Sequence, residues 1–419
     1  MMSSIVVVGA NWGDEGKGRI VDFLSEKASA SIRFQGGNNA GHTVVNNLGT
    51  FKLHQLPSGV FNPHCLTVLG PGMVISPGAL TEEIHLVEKA GVKLNLSISD
   101  RATLCLPLHA LEDTLEEERL GDNAYGSTRQ GIAPAYGDRV MKKGILVGWL
   151  KQPEVLTERI QFWIDWKLPQ LRALYPNLQF NQSAKEISDW LIEVSKPWRN
   201  SICNVTIPLK EKQAQKQTLL FEAQLGAGRD LIYGEYPWTT SSNVVSMYAG
   251  IGGGLPALRP TRVIAVAKAF SSSVGTGTLI TAMDQQDAFR ETAEEYGATT
   301  GRPRDLGYFD AVATKNGIEL QAATEVALTK IDCLTGLSEL KICVGYTGEN
   351  SDNPIWPQTT ELAPIYEQME SWHEDITGCR KFEELPEAAR RYILRIEALM
   401  EIPITMISVG PQRDQMIIR

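Results

Sequence analysis

The chain has 419 residues, 43% hydrophobic and 21% charged, which is enough apolar material for a large core and excludes a disordered or low-complexity protein. Lys and Arg total 40 against 49 Asp and Glu, a formal charge of −9, so a broad electrostatic nucleic-acid surface is not expected and only local basic pockets remain. The longest apolar runs, such as Ile5 to Val8, fall far short of the roughly 20 residues of a membrane span. No signal-peptide pattern is visible, and the six Cys are scattered without a CxxC pair, so a cytoplasmic protein with reduced thiols and no membrane partner is expected.

The first predicted element is a buried strand over Ile5–Val8. It runs into Gly9-Ala10-Asn11-Trp12-Gly13-Asp14-Glu15-Gly16-Lys17-Gly18, with a helix expected from about Arg19 to Glu26. Glycines let backbone N–H groups approach a phosphate, a helix start adds positive potential and Lys17 adds a point charge, so the turn reads as a phosphate cradle. It is not the ordinary P-loop, which requires Gly at position 11 and a hydroxyl at position 18; Mg2+ would need Asp14 and backbone carbonyls instead. A Gly-rich turn carrying a solvated Asp-Glu pair is the plainer alternative. Next comes Phe34-Gln35-Gly36-Gly37-Asn38-Asn39-Ala40-Gly41-His42-Thr43, in which a His lies among small residues that permit close backbone approach. His42 is therefore the leading acid/base candidate, while His54, His64, His85, His109 and His373 read as structural.

Gly126-Ser127-Thr128-Arg129-Gln130-Gly131 and Tyr236-Pro237-Trp238-Thr239-Thr240-Ser241-Ser242-Asn243 carry hydroxyls and amides that suit phosphate or a heterocycle, and that equally suit turns and caps. Between them, residues 149–225 contain no Gly and five of the nine Trp, which predicts a helical insertion with mostly buried Trp inside one large domain spanning 1–419. Helix starts are expected near Thr157 and at Ser183, where Glu186 completes a capping pattern. Gly297-Ala298-Thr299-Thr300-Gly301-Arg302-Pro303-Arg304 offers two hydroxyls and two Arg to planar anions. Thr329-Lys330-Ile331-Asp332 follows an apolar run, and an Asp there can accept both N1 and N2 hydrogens of guanine. Strand-like runs at Val263–Val266, Ile342–Val344 and Ile404–Ser408 alternate with helical segments such as Glu387–Met400, which predicts an α/β fold with a large, mostly parallel central sheet flanked by helices.

Taken in chain order, Trp12 to Gly18, Gly36 to Thr43, Pro57-Ser58-Gly59, Gly131-Ile132-Ala133-Pro134-Ala135-Tyr136, Thr240-Ser241-Ser242-Asn243 and Gly297 to Arg302 resemble the adenylosuccinate synthetase family, over Val6 to Ile418. The resemblance implies GTP-dependent ligation of IMP to L-aspartate, giving adenylosuccinate, GDP and phosphate through a 6-phosphoryl-IMP intermediate in AMP synthesis. It also implies a homodimer and one Mg2+ per subunit. Carried over by residue, Asp14 takes the N1 proton of IMP and His42 is the general acid, with Lys17 and Gln224 completing the catalytic set. Asp14 and the Gly41 carbonyl would hold Mg2+. IMP would meet Asp14, Glu15, Gly16, Lys17, Asn39, Ala40, Gly41, His42, Thr128, Lys142, Gln224, Thr240 and Arg302. The GTP phosphates would lie on Gly13, Asp14, Glu15, Gly16, Lys17 and Gly18, with Gly41, His42, Thr43 and Arg304 near by. Lys330, Ile331, Asp332, Ser408, Val409 and Gly410 would hold the guanine. The loop of Ala298, Thr299, Thr300, Gly301, Arg302, Pro303 and Arg304 would take the aspartate carboxylates.

Three positions depart from the commonest family pattern. Phe221-Glu222-Ala223-Gln224-Leu225-Gly226 shifts the IMP-contacting amide by one, Lys142 stands where many members lend an Arg across the dimer, and Pro303 and Asp305 make the loop stiffer and less positive. Two other readings stay open on sequence: a related synthetase that uses dGMP to make a 2-amino product, and a regulatory nucleotide-binding homologue without turnover.

Overall fold

The computed structural model describes residues 3–273, 277, 279–284, 286–297, 301–348 and 361–419. One sheet of ten strands organises the chain: β1 (Ser4–Gly9), β2 (Ala30–Arg33), β3 (Leu66–Leu69), β4 (Leu96–Ser99), β5 (Ile202–Cys203), β6 (Leu219–Gly226), β7 (Arg262–Lys268), β8 (Glu325–Thr329), β9 (Ile404–Ser408) and β10 (Met416–Ile418). Their order across the sheet is β10-β9-β8-β7-β1-β6-β2-β3-β4-β5. Every neighbouring pair is parallel except β9 with β10, which closes one edge.

The sequence of β1 explains its central place. All six residues of Ser-Ile-Val-Val-Val-Gly are buried, as a strand covered by helices on both faces requires. Val6 and Val8 point to one core with Ile32, Phe34 and Phe221, whereas Ile5 and Val7 point to the other with Ile20, Val21 and Ile264. The helix after β1 spans Lys17–Ser25, two residues earlier than expected, because Gly16 takes a left-handed conformation (φ 89°) and starts the helix directly at Lys17. Glu387–Met400 is a helix and Ile404–Ser408 a strand at the expected bounds.

Two expectations are corrected. The Gly-free stretch is helical over Pro153–Leu174, Ala184–Val194 and Thr206–Ala214, but Leu219–Gly226 then enters the sheet between β1 and β2 as β6. The stretch thus supplies two strands of the main sheet, β5 at one edge and β6 beside β1, as well as helices; a buried apolar run reads alike in a helix and a parallel strand. Within it Pro153, not Thr157, opens the first helix, while Ser183 caps the second by accepting from the Glu186 N–H. Trp163 and Trp198 are fully buried, and Trp190 is on the surface. Ile342–Val344 lies in Leu340–Thr347, which pairs with Phe309–Asp310 and Ala363–Met369 in a separate three-stranded sheet.

Candidate active site

The carboxyl ends of β1, β6, β7 and β8 meet at one edge of the sheet, where open α/β folds carry their ligands. The loop after β1 is left-handed at Gly13 (φ 111°), Asp14 (φ 60°) and Gly16, so its peptides turn repeatedly before the helix begins. Glu15 holds this shape from inside. Its buried carboxylate accepts the N–H groups of Asn11 (3.2 Å) and Gly13 (2.8 Å) and pairs with Lys17 Nζ at 2.6 Å. A Cβ at Gly9 or Gly226 would lie 2.5 or 2.4 Å from that carboxylate, so both glycines are dictated by it. Glu15 is thereby a buried loop organiser, and its carbonyl accepts from the Thr329 hydroxyl at 2.6 Å.

Asp14 presents its side chain, about one-third exposed, to a cavity of about 670 Å3. Arg304 Nη2 lies 3.0 Å from Asp14 Oδ2, and Arg304 Nη1 lies 2.6 Å from Glu295. Burial opposes the charge of Arg304, yet Asp14 and Glu295 raise its proton affinity further. Glu295 also pairs with Lys268 (2.7 Å) and Lys330 (2.8 Å). Burial pushes Lys268 down to about 8, against the pull of Glu295.

His42 opens the hairpin His42–Asn46 with Gly49–Leu53, and packs over the helix start, where a Cβ at Gly18 would come within 3.1 Å of its ring. Its Nε2 has no hydrogen-bond partner among the described residues and lies 3.7 Å from Glu222 Oε1. Glu222, in the middle of β6, accepts from Ser58 N–H (2.7 Å) and hydroxyl (3.0 Å) and pairs with Arg33 at 3.1 Å. Burial, then the charges of Arg33, His54 and Lys17, hold the His42 imidazole well below its ordinary range and therefore neutral.

Asn39, Ala40, Gly41, Thr128, Thr240, Arg302 and Arg304 line the same cavity as Asp14. Asn39 Nδ2 is 3.5 Å from Thr240 Oγ1, and Arg302 Nη1 is 3.4 Å from the Gly126 carbonyl. Glu117 accepts from the N–H groups of Tyr125, Gly126 and Ser127 at 3.0–3.1 Å, which fixes the backbone that carries Thr128. Gln224 points elsewhere. Its Nε2 donates to the carbonyls of Gly37 (2.8 Å) and His54 (3.0 Å) and its Oε1 accepts from Gly37 N–H, so the side chain braces the Gly36-Gly37 turn and does not line the cavity. Leu225, with φ 57°, lines it in place of Gln224. Lys142 (φ 65°) is exposed beyond the helix Ile132–Val140 and outside the cavity lining. Thr43, Gly301 and Pro303 are exposed, and Ala298, Thr299 and Thr300 lie outside the described residues.

The second cluster of expected residues gathers at the ends of β8 and β9. Lys330 is left-handed (φ 58°), Ile331 and Val409 are buried beneath, and the Ser408 hydroxyl donates to the Gly410 carbonyl at 3.3 Å. Burial raises Asp332, which Arg19 and Lys330 oppose. Arg33, Glu222, Glu117 and Glu295 were not singled out from sequence. Each ionisable side chain is buried; Arg33 and Glu222 interrupt apolar strands, whereas Glu117 and Glu295 stand beside other acids and carry no distinguishing signal in the sequence.

A sequence model described as adenylosuccinate synthetase matches residues 6–417. The chain is 76% identical over 418 residues to adenylosuccinate synthetase 2 of Pseudoalteromonas translucida, covering 100% of both chains, and 42% identical to that of Bacillus cytotoxicus, covering 99% of this chain and 98% of the relative. The chain belongs to the adenylosuccinate synthetase family. A fully ligated adenylosuccinate synthetase from Plasmodium falciparum shares its fold at a TM-score of 0.90 with 33% identity, each chain covered to 99%. A succinoaminodeoxyadenylate synthetase of cyanophage S-2L, solved with dGMP and dATP, matches at a TM-score of 0.62 and 18% identity, covering 100% of this chain and 95% of that one, a likeness of fold alone.

Proposed function

We propose that this cavity ligates IMP to L-aspartate at the expense of GTP, yielding adenylosuccinate, GDP and phosphate. The observation that carries the reading is the meeting of Asp14, Asn39, Gly41, Thr128, Thr240 and Arg302, from five separate loops, around one cavity at the sheet's carboxyl edge. The 6-oxo group of IMP is a poor leaving group, so it must first be activated. Asp14 removes the N1 proton, charge moves to O6, and O6 attacks the γ-phosphorus of GTP as GDP departs. The aspartate amine then attacks C6, phosphate leaves with O6, and the amine loses a proton.

Asn39, Thr128 and Thr240 hold the IMP phosphate and Arg302 the ribose, while the loop ending at Arg304 takes the aspartate carboxylates. Lys17 and the amides of Gly13 to Gly18 hold the GTP phosphates, and Lys330, Asp332 and Ser408 to Gly410 the guanine. The triphosphate beside Lys17 offsets the cations that keep His42 neutral, so nucleotide binding readies the imidazole to donate a proton toward O6. Gln224 serves from behind, by bracing Gly36-Gly37 next to Asn39.

The donor set at Asp14 and Gly41 fits Mg2+: a carboxylate about one-third exposed and a backbone carbonyl in the lining of one cavity are hard oxygen ligands that leave room for phosphate and water. When bound, the ion neutralises phosphate charge and polarises the γ-phosphoryl group. Asp14 must exchange its pairing with Arg304 to serve as ligand or base. Lys142 reaches the IMP phosphate only from a second copy of the chain, which is the part of the reading that asks for a homodimer. No helix among the described residues is long and apolar enough to cross a membrane, in keeping with a cytoplasmic site of action. Ultraviolet absorbance growth with GTP, Mg2+, aspartate and either IMP or dGMP tests the reading. Growth with IMP, abolished in Asp14→Asn, supports it; growth with dGMP alone overturns it.

A further inference from the structure

Glu295 is completely buried in the turn after the helix Asp287–Ala293. One carboxylate there serves three cations from three other segments. Its oxygens lie 2.7 and 2.8 Å from Lys268 Nζ at the end of β7, 2.6 Å from Arg304 Nη1 and 2.8 Å from Lys330 Nζ at the end of β8. Backbone contacts reinforce the same point: Arg304 N–H donates to the Glu295 carbonyl at 3.0 Å, Arg290 Nε donates to the Arg304 carbonyl at 2.9 Å, and Lys330 Nζ donates to the Ala293 carbonyl. Gly297 N–H donates to the Arg302 carbonyl at 2.8 Å, so Glu295 stands at the foot of the loop whose far leg carries Arg302 and Arg304. Lys330 belongs to the strand end assigned to guanine, and Arg304 faces Asp14. A neutral side chain at 295 would leave Lys268 and Lys330 without the carboxylate they share and Arg304 with Asp14 alone.

We propose that Glu295 is a positioning residue that couples the two ends of the site: by gripping Lys330 and Arg304 with one carboxylate, it sets the guanine-side strand end and the aspartate-side loop in a single arrangement. The inference rests on the functional reading above and adds a residue that touches no substrate. Lys268 completes the grip from beneath, where Ser272 Oγ (2.6 Å) and both Glu295 oxygens satisfy its ammonium.

The test compares Glu295→Gln with the double variant Glu295→Gln/Lys268→Met, which removes the buried ammonium together with its counter-charge. Thermal midpoint and the KM values for GTP, aspartate and IMP are measured for both and for the unaltered protein. In both variants the KM values for GTP and aspartate are expected to rise together, by about tenfold, with KM for IMP changed less than about twofold. The double variant recovers the thermal midpoint and keeps both defects. Recovery of both KM values along with the midpoint would show that Glu295 merely neutralises Lys268 and would overturn the proposal, as would a rise in only one of them. If the single variant fails to fold, the double variant decides by the same criterion. Absence of IMP-dependent turnover in the unaltered protein would instead overturn the functional reading.

Discussion

Asp14, in the loop after β1, and Arg304, just before the strand Asp305–Gly307, are far apart in sequence and form an ion pair, Oδ2 to Nη2, at 3.0 Å in the lining of the cavity. The group assigned to take the N1 proton is therefore held by the loop assigned to aspartate. Substrate entry must redistribute this pair, which links loop position to the base.

Asp14→Asn removes the base while keeping the shape of the side chain, and is expected to lower kcat by about 10^2–10^4. Arg304→Leu is expected to raise KM for aspartate and GTP with a smaller loss in kcat, because the proposed function has the cation bind substrate and the carboxylate react. Steady-state kinetics of the two variants separate the roles; equal kcat losses would contradict the division.

Proton uptake is expected when GTP binds near neutral pH. His42 is kept neutral by burial and by Arg33, His54 and Lys17, and a triphosphate beside it favours its protonated form. Calorimetric titration in buffers of different ionisation enthalpy should show uptake of up to about one proton, absent in His42→Asn. Equal uptake by both proteins would remove His42 from the acid role.

At Lys142, an ammonium gives a phosphate one point charge where a guanidinium gives a fork. Lys142→Arg is expected to lower KM for IMP by a few fold and Lys142→Ala to raise it about tenfold or more, with KM for GTP unchanged. If neither variant shifts KM for IMP, this side chain does not reach the phosphate.

Asp310 gives a stability prediction. It is buried, accepts from Ala313 N–H (2.9 Å) and Tyr346 Oη (2.8 Å), and burial pushes its carboxyl up to about 6. A folded-state value above the unfolded one means that the folded protein binds the extra proton between the two. Its contribution is complete below the unfolded value and is lost as pH rises through about 6. Asp310→Asn, which keeps the helix cap, should become more stable relative to the unaltered protein by up to about 3 kcal/mol across that interval. Denaturant melts at a series of pH values read the difference.

The sequence pattern made β1, the turn after it, the capped helix at Ser183 and the strand at Ile404 legible, since each is encoded by neighbouring residues. It did not place β6 beside β1, because parallel neighbours carry the same buried pattern as any other apolar run and nothing local names a partner. Asn39, Thr128, Thr240 and Arg302 were found as small-residue or hydroxyl motifs and do converge. Glu222 and Glu295 escaped notice because a buried, paired carboxylate has the same letter as a solvated one, and only the cations around it show the difference. Gln224 was expected among the substrate contacts; its direction is set by the Gly36-Gly37 turn behind it, which the motif does not reveal.

The position of β1 has a consequence for synthesis. Ser4 is aligned with Leu219 on one side and Ile5 with Arg262 on the other. The loop after β1 precedes both of these neighbours in the chain and thus has no walls until β6 and β7 have emerged. At about 5–20 residues per second, that delay is on the order of ten to fifty seconds. Through that interval Ile5 to Val8 is an unpaired apolar segment, the kind of surface that chaperones shelter, and the Gly-rich turn takes its shape long after its own residues are made.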